Sequence, residues 1–173
     1  MPTLQEESST VHINRMIDAI INDLKKLKEE LPKMVNSAVM EKEQEVLDIN
    51  RDQMFKMGID SQGNAIWPEY QKETINAKGL RAQYGVFPNF REYNYEPIDH
   101  VALIQTGSFY GNMFIQQRSD HFVIWSRDQK TGMLVQKYGR EIFGIAPENW
   151  DRFLTLVVPV IDRYLELRLK AYR

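Results

Sequence analysis

The chain contains no cysteine. Disulfides, a thiolate nucleophile and cysteine-based zinc sites are thereby excluded. Histidine is scarce: His12, His100 and His121 are the only three, and no two stand at i, i+4. A helical two-histidine metal motif is therefore absent. No apolar run approaches the roughly 18 residues that a bilayer-crossing helix needs. The start, MPTLQEESST, is polar and acidic and lacks the apolar core of a signal peptide. Charge of one sign is missing as well. The 22 Lys+Arg face 24 Asp+Glu, a formal net charge of -2, without the basic excess of a dedicated nucleic-acid binder. Phosphate-cradling glycine loops, dinucleotide fingerprints and nucleophile elbows do not occur. Together these absences predict a non-enzymatic protein with no cofactor and no metal, made in a cytoplasm and not membrane-bound.

What is present suits a globular fold. Hydrophobic residues make up 43% of 173 residues, enough to build one core with an attachment. Residues 1–9 are polar and are expected to be a disordered arm. From Ile13 the apolar positions Ile13, Ile17, Ile20, Leu24, Leu27 and Leu31 follow a 4-3-4-3-4 spacing. That is the rhythm of a helix with one narrow apolar seam. Such a helix lies on its own domain or packs against a partner subunit. Pro32 disfavours helix at Leu31 and suits the first position of a second helix, over about Lys33–Phe55. The stripe of that second helix, Val35, Val39, Val46, Ile49 and Met54, is interrupted by Lys42. It is expected to be the weaker and more exposed of the two, stopped at Gly58.

Asp60-Ser61-Gln62-Gly63-Asn64 is turn chemistry between Ile59 and Ile66. It resembles a calcium loop only superficially. Ala65 occupies the sixth position, where glycine is required, and Gln71 the twelfth, where glutamate is required. A β-turn or small hairpin fits better. A short helix from Tyr70 to Lys78, stopped by Gly79, comes next. Residues 80–100 then carry Tyr84, Phe87, Phe90, Tyr93 and Tyr95 among Pro88 and Pro97. This is an irregular aromatic loop, pinned by its rings to the body or to a neighbouring subunit. With Arg81 and Arg91 those rings could stack bases, but Glu92, Glu96 and Asp99 cancel the basic character.

Leu103–Trp150 is the most structured-looking stretch. Phe109–Gln117 reads as a strand with a bulge at Gly111. Arg118-Ser119-Asp120 is a turn, and His121–Ser126, with Phe122, Val123, Ile124 and Trp125, is the strongest strand. The two form an antiparallel hairpin. Met133–Tyr138 reads as a short helix closed by Gly139, and Arg140–Phe143 as a connector able to pair as a strand. Pro147 starts a final helix with Trp150, Leu154, Val157, Ile161 and Leu165 on one face and Pro159 bending it. In a strand, Asp99-His100 and Asp120-His121 would point to opposite faces. The expected architecture is α+β: a small antiparallel sheet packed with a long C-terminal helix, plus an N-terminal helical region over 10–56. Residues 57–173 form the α+β domain.

Five ordered segments carry a resemblance. They are LIQTGSFYGNM (Leu103–Met113), FVIWSRDQK (Phe122–Lys130), the Leu134–Gly139 segment ending Lys-Tyr-Gly, IFGIAPENW (Ile142–Trp150), and MGIDSQGNAIWPEYQKETINAKG (Met57–Gly79) upstream. Together they span residues 57–150, a little over half the chain. In this order they resemble the neck and tail-completion proteins of tailed bacteriophages, the virion morphogenesis or head–tail connector family. The resemblance implies a small α+β domain whose first strand ends at Thr106-Gly107, with no catalytic residues. It implies a homo-oligomeric ring at the neck of the virion, assembled in the host cytoplasm. Such a ring joins portal or adaptor and tail proteins and completes a channel for DNA without sequence-specific binding. The long region 10–56 and the aromatic segment 80–100 depart from short family members. They supply the candidate subunit-interface residues: Ile13, Ile17, Ile20, Leu24, Leu27, Tyr84, Phe87, Phe90 and Tyr93. The alternative is a cytosolic helical interaction or nucleic-acid-associated module, contacting partners through Arg81, Arg91 and the aromatics.

Overall fold

A computed structural model describes residues 4–86, 88, 90, 93 and 95–170, with side chains from Asn14 onward except at Leu169. Residues 4–57 form a nearly unbroken helical stretch. α1 spans Leu4–Glu41 and α2 Glu43–Asp52, with Lys42 between them at φ -108, ψ 27. The hydrogen-bond ladder still crosses this joint. Lys42 N–H donates to Ala38 O (3.1 Å) and Val46 N–H to Lys42 O (2.9 Å). A π turn over Gln53–Met57 follows, and Gly58, at φ 64, ends it as expected. A Cβ there would also lie 2.6 Å from the His100 side chain.

Two expectations about this stretch are corrected. Pro32 does not begin a helix; it lies inside α1. A proline in a helix interior removes one ladder bond and costs about 3 kcal/mol. Fully buried Ala38 and Val39 in the same helix help offset that loss. The helix also starts at Leu4, within the stretch expected as a disordered arm. Residues 4–9 contain no glycine or proline to stop it.

Burial along the stretch is the reverse of the expectation. Every residue from Asn14 to Lys26 is exposed, whereas Asn36, Ala38, Val39, Val46, Leu47, Ile49, Met54 and Phe55 are buried. The second half, expected to be weaker, is the centre of the core. The reason lies in its polar residues. Asn50 Nδ2 donates to Ile142 O (3.0 Å), and Arg51 Nε to Tyr110 O (3.1 Å). Gln53 Nε2 donates to Gly144 O (3.0 Å), and Gln53 Oε1 accepts from Ala146 N–H (3.0 Å). Buried irregular backbone needs partners, and these side chains supply them. One apolar cluster consequently joins residues 38–55 to residues 101–160. The boundary expected near residue 56 does not divide the core.

The sheet is a two-stranded antiparallel hairpin, as expected. β1 (Met113–Gln117) pairs β2 (Phe122–Ser126) in the register Met113↔Ser126 to Gln117↔Phe122. Met113, Ile115, Ile124 and Ser126 are buried toward the core, while Phe114 and Trp125 are half-buried. Glu43 accepts the Ile115 N–H (3.1 Å), which satisfies a donor on the free edge of β1. A two-stranded hairpin is marginal alone; packing on α2 gives it a floor.

Other boundaries shift. The strand expected from Phe109 begins only at Met113, because Ser108–Gly111 is a helical turn, α4. Its N-cap is Gly107, at φ 85. The strand that the resemblance implies up to Thr106-Gly107 is absent: residues 101–104 are buried but form no strand, and Leu103 has φ 50. α3 spans Lys72–Gln83 and runs through Gly79; a mid-helix glycine costs only about 1 kcal/mol. α5 spans Thr131–Tyr138 and closes at Gly139, φ 85. Arg140–Ile142 is a 3-10 turn, not a strand. After a 3-10 turn at Pro147–Asn149, α6 (Trp150–Lys170) continues through Pro159. It runs antiparallel to α1, since Arg163 pairs with Glu41 and Arg168 with Glu30.

Candidate functional site

Beyond the body, α1 presents an apolar face with nothing packed on it among the described residues. Ile17 is 47%, Ile20 57% and Leu24 60% exposed. Met16, Ile21 and Leu31 are exposed beside them. Met16 and Ile21 widen the seam that the 4-3 spacing outlines. Counting only the central positions misses them, although both flank it directly in the sequence. Leu27 is half-buried, nearer the body. The side chain of Ile13 lies outside the described residues.

The aromatic segment behaves differently. Tyr93 is buried and stacks on Phe55 (ring centroids 3.9 Å apart, 10° between planes). Its hydroxyl donates to Asp52 (2.9 Å). Phe90 is half-buried, edge-on to Tyr110 at 5.8 Å, with the Arg51 guanidinium 5.3 Å above its ring. Both were candidates for contact with a neighbouring copy. Tyr93, and to a lesser degree Phe90, instead serve their own chain's core, because Phe55 in the π turn and Tyr110 in α4 offer rings and Asp52 on α2 offers a carboxylate. Tyr84 is 76% exposed and stays available. Phe87 and Arg91 lie outside the described residues.

Where the segment re-enters the body, Glu96 is buried between two cations. It accepts from Arg81 at 2.8 and 2.6 Å and meets Lys78 Nζ at 3.2 Å. Lys78 also donates to Ile104 O (3.2 Å) and lies 4.6 Å over the Tyr70 ring. Burial lowers the pKa of Lys78, against the pull of Glu96. For Glu96 burial acts upward, but Arg81 and Lys78 outweigh it and hold the carboxyl below the usual range. Burial pushes the Tyr70 phenol up to about 12. This cluster floors an open groove of about 920 Å³ between α3, residues 103–109 and α5. Lys78 and Arg81 are both held by Glu96, a single carboxylate that leaves the trio with a net positive charge. Arg81, a candidate base-stacking residue, is committed to Glu96.

His100 and His121 do not converge. His100 Nδ1 meets its neighbour Asp99 (2.9 Å), while Nε2 meets Phe55 O (2.7 Å). His121 meets Asp120 (2.7 Å). Asp99-His100 lies in a bend and Asp120-His121 at the strand's edge, so both pairs close on themselves rather than opening to opposite faces. Among the described residues no group of three or more His, Asp or Glu could hold a metal ion, and no helix is long and apolar enough to cross a membrane.

Set against family models, curated proteins and solved structures, the chain has no match in any of the three comparisons.

Proposed function

We propose that the chain is a non-enzymatic structural subunit that assembles with copies of itself into a ring at the head–tail junction of a tailed bacteriophage. The ring joins head to tail and completes the channel through which DNA passes. Its neighbours are portal or adaptor proteins on one side and tail proteins on the other. The observation that carries self-assembly is the exposed face of α1, where Met16, Ile17, Ile20, Ile21 and Leu24 crowd onto little more than two helical turns. A contiguous apolar patch of this kind marks an interaction surface. Identical copies satisfy it through closed symmetry. The placement at a phage neck rests on the ordered sequence resemblance over residues 57–150. A net charge of -2 supports a channel wall past which DNA slides, since each neutralised phosphate would add salt-dependent grip.

Mass photometry of the purified protein and negative-stain microscopy test this reading. The expected result is closed rings of several copies, and the protein in purified virions. A strict monomer at high concentration, absent from virions, overturns it.

A further inference from the structure

We infer that the α1 helices of neighbouring copies run parallel and in register, in a bundle of three or more built on residues 16–28. This rests on the self-assembly proposed above and adds the surface, direction and minimum copy number. In the heptad set by the seam, Ile17 and Leu24 take position a, and Ile20 and Leu27 position d. The flanking positions decide the direction. Met16 and Asp23 fall at g; Ile21 and Lys28 fall at e. Parallel helices bring each g beside the e of the next heptad on the partner. Met16 then meets Ile21, apolar on apolar, and Asp23 meets Lys28, acid on base. Antiparallel helices pair g with g and e with e. Setting the seam against itself, with Ile20 facing Leu24, puts Asp23 opposite Asp23 and Met16 opposite Glu30. Sliding one heptad either way places Asp23 opposite Met16 or Glu30. Only the parallel register matches both flanks.

The same face sets the copy number. In the first heptad isoleucine stands at both a and d (Ile17 and Ile20), which disfavours two-stranded packing, while Leu24 and Leu27 fill the second. Exposed Met16 and Ile21 extend the apolar face beyond the a/d seam, and a two-stranded pair leaves those flanks in water. Burying them takes a further helix on each side. Parallel arms also place the bodies side by side at one end, which is the disposition a ring requires.

Because the chain has no cysteine, single-cysteine variants report the direction cleanly. Residues 14–26 are all exposed, so Ile17→Cys leaves the folded body intact, checked by an unchanged circular-dichroism melt. Mild oxidation of the full-length variant is followed by non-reducing electrophoresis, with mass photometry of the unmodified chain alongside. The expected result is efficient Ile17→Cys self-crosslinking, with assemblies of three or more copies. A mixture of Ile17→Cys and Leu27→Cys chains should give at least tenfold less of the mixed crosslink. Assembled chain whose 17–27 mixed crosslink dominates, or whose 17–17 crosslink is absent, overturns the parallel bundle but leaves ring assembly standing. Assemblies that stop at two copies overturn the copy number. A monomeric unmodified chain overturns the self-assembly reading itself, and the bundle with it.

Discussion

The two halves of the helical stretch 4–57 make opposite use of the same backbone. The half nearer the N-terminus has the more regular sequence, a 4-3 apolar rhythm with charges elsewhere, and its residues 14–26 are exposed. The other half has an interrupted stripe and carries Asn50, Arg51 and Gln53, yet it is buried. Regularity asks for a regular partner. A seam of a and d positions fits another helix, and among the described residues nothing in its own chain covers residues 14–26. Irregularity asks for an irregular partner. Loops such as 142–146 present unpaired N–H and C=O groups, and amide side chains answer them. Hydrophobic patterning alone ranks these halves in the wrong order, because it scores buried amides as a defect.

The largest break in this contrast comes from the buried half. Gln53→Leu puts an apolar side chain of similar size in its place but leaves the backbone groups Gly144 O and Ala146 N–H without their partner. A buried group stripped of its hydrogen bond costs about 1–3 kcal/mol. With two orphaned groups the expected loss is roughly 2–4 kcal/mol, read as a clearly lower urea midpoint at unchanged slope. A midpoint equal to the parent chain's would mean that the amides do not hold the loops.

A smaller effect is expected at Asp52, where the buried half meets α6 and the aromatic segment. Its carboxylate takes Arg152 (2.7 Å), Lys56 (3.1 Å) and Tyr93 (2.9 Å). Burial acts to raise its pKa, but these three bonds outweigh it and hold the pKa below the ordinary 3.8. A depressed folded-state pKa gives stability that is present above the unfolded value and is lost as pH falls through the folded one. Asp52→Asn should cost about 1.5–3 kcal/mol at neutral pH, since bonds to charged groups lie in that range. The gap from the parent should narrow as pH drops below about 3.8. Thermal melts across pH 2–7 with a constant gap would exclude Asp52 as the origin.

The fold class was legible because its signals are local. The β2 run Phe122–Ser126, the turn after β1, the α5 helix closed by Gly139, and Gly58 each carry their signal within a few residues. What was not legible depends on distant partners. Nothing near Ser108 announces that Gly107 caps a helical turn rather than ending a strand. Lys78 reads as the end of a short helix and Arg81 as part of an aromatic loop until Glu96, 15 residues past Arg81, arrives between them. The aromatics divide for the same reason. Tyr93 is claimed by Asp52 at the end of α2 and by Phe55 in the π turn, both distant in the sequence, while Tyr84 stays at the surface. The seam on α1 was legible as a seam. Whether its own chain covered it was not, because that depends on where α6 ends.

The smallest expected effect on folding is on that seam, and it sharpens the contrast most. Ile20→Asp places a charge at a position that is 57% exposed. Surface substitutions of this kind change folding stability by within about 0.5 kcal/mol, because the unfolded and folded chains solvate the side chain alike. The same change buries a carboxylate in any assembled bundle, where no basic residue stands at position d to receive it. An unpaired buried charge is costly, so assembly should be lost while the monomer's melting behaviour barely moves. Measured at low concentration, where the parent chain also dissociates, the two melts should coincide. At high concentration only the parent should gain stability, since association stabilises the folded state by mass action. A variant that melts well below the parent at low concentration would show that Ile20 packs within its own chain, and that the two halves differ less than their exposure suggests.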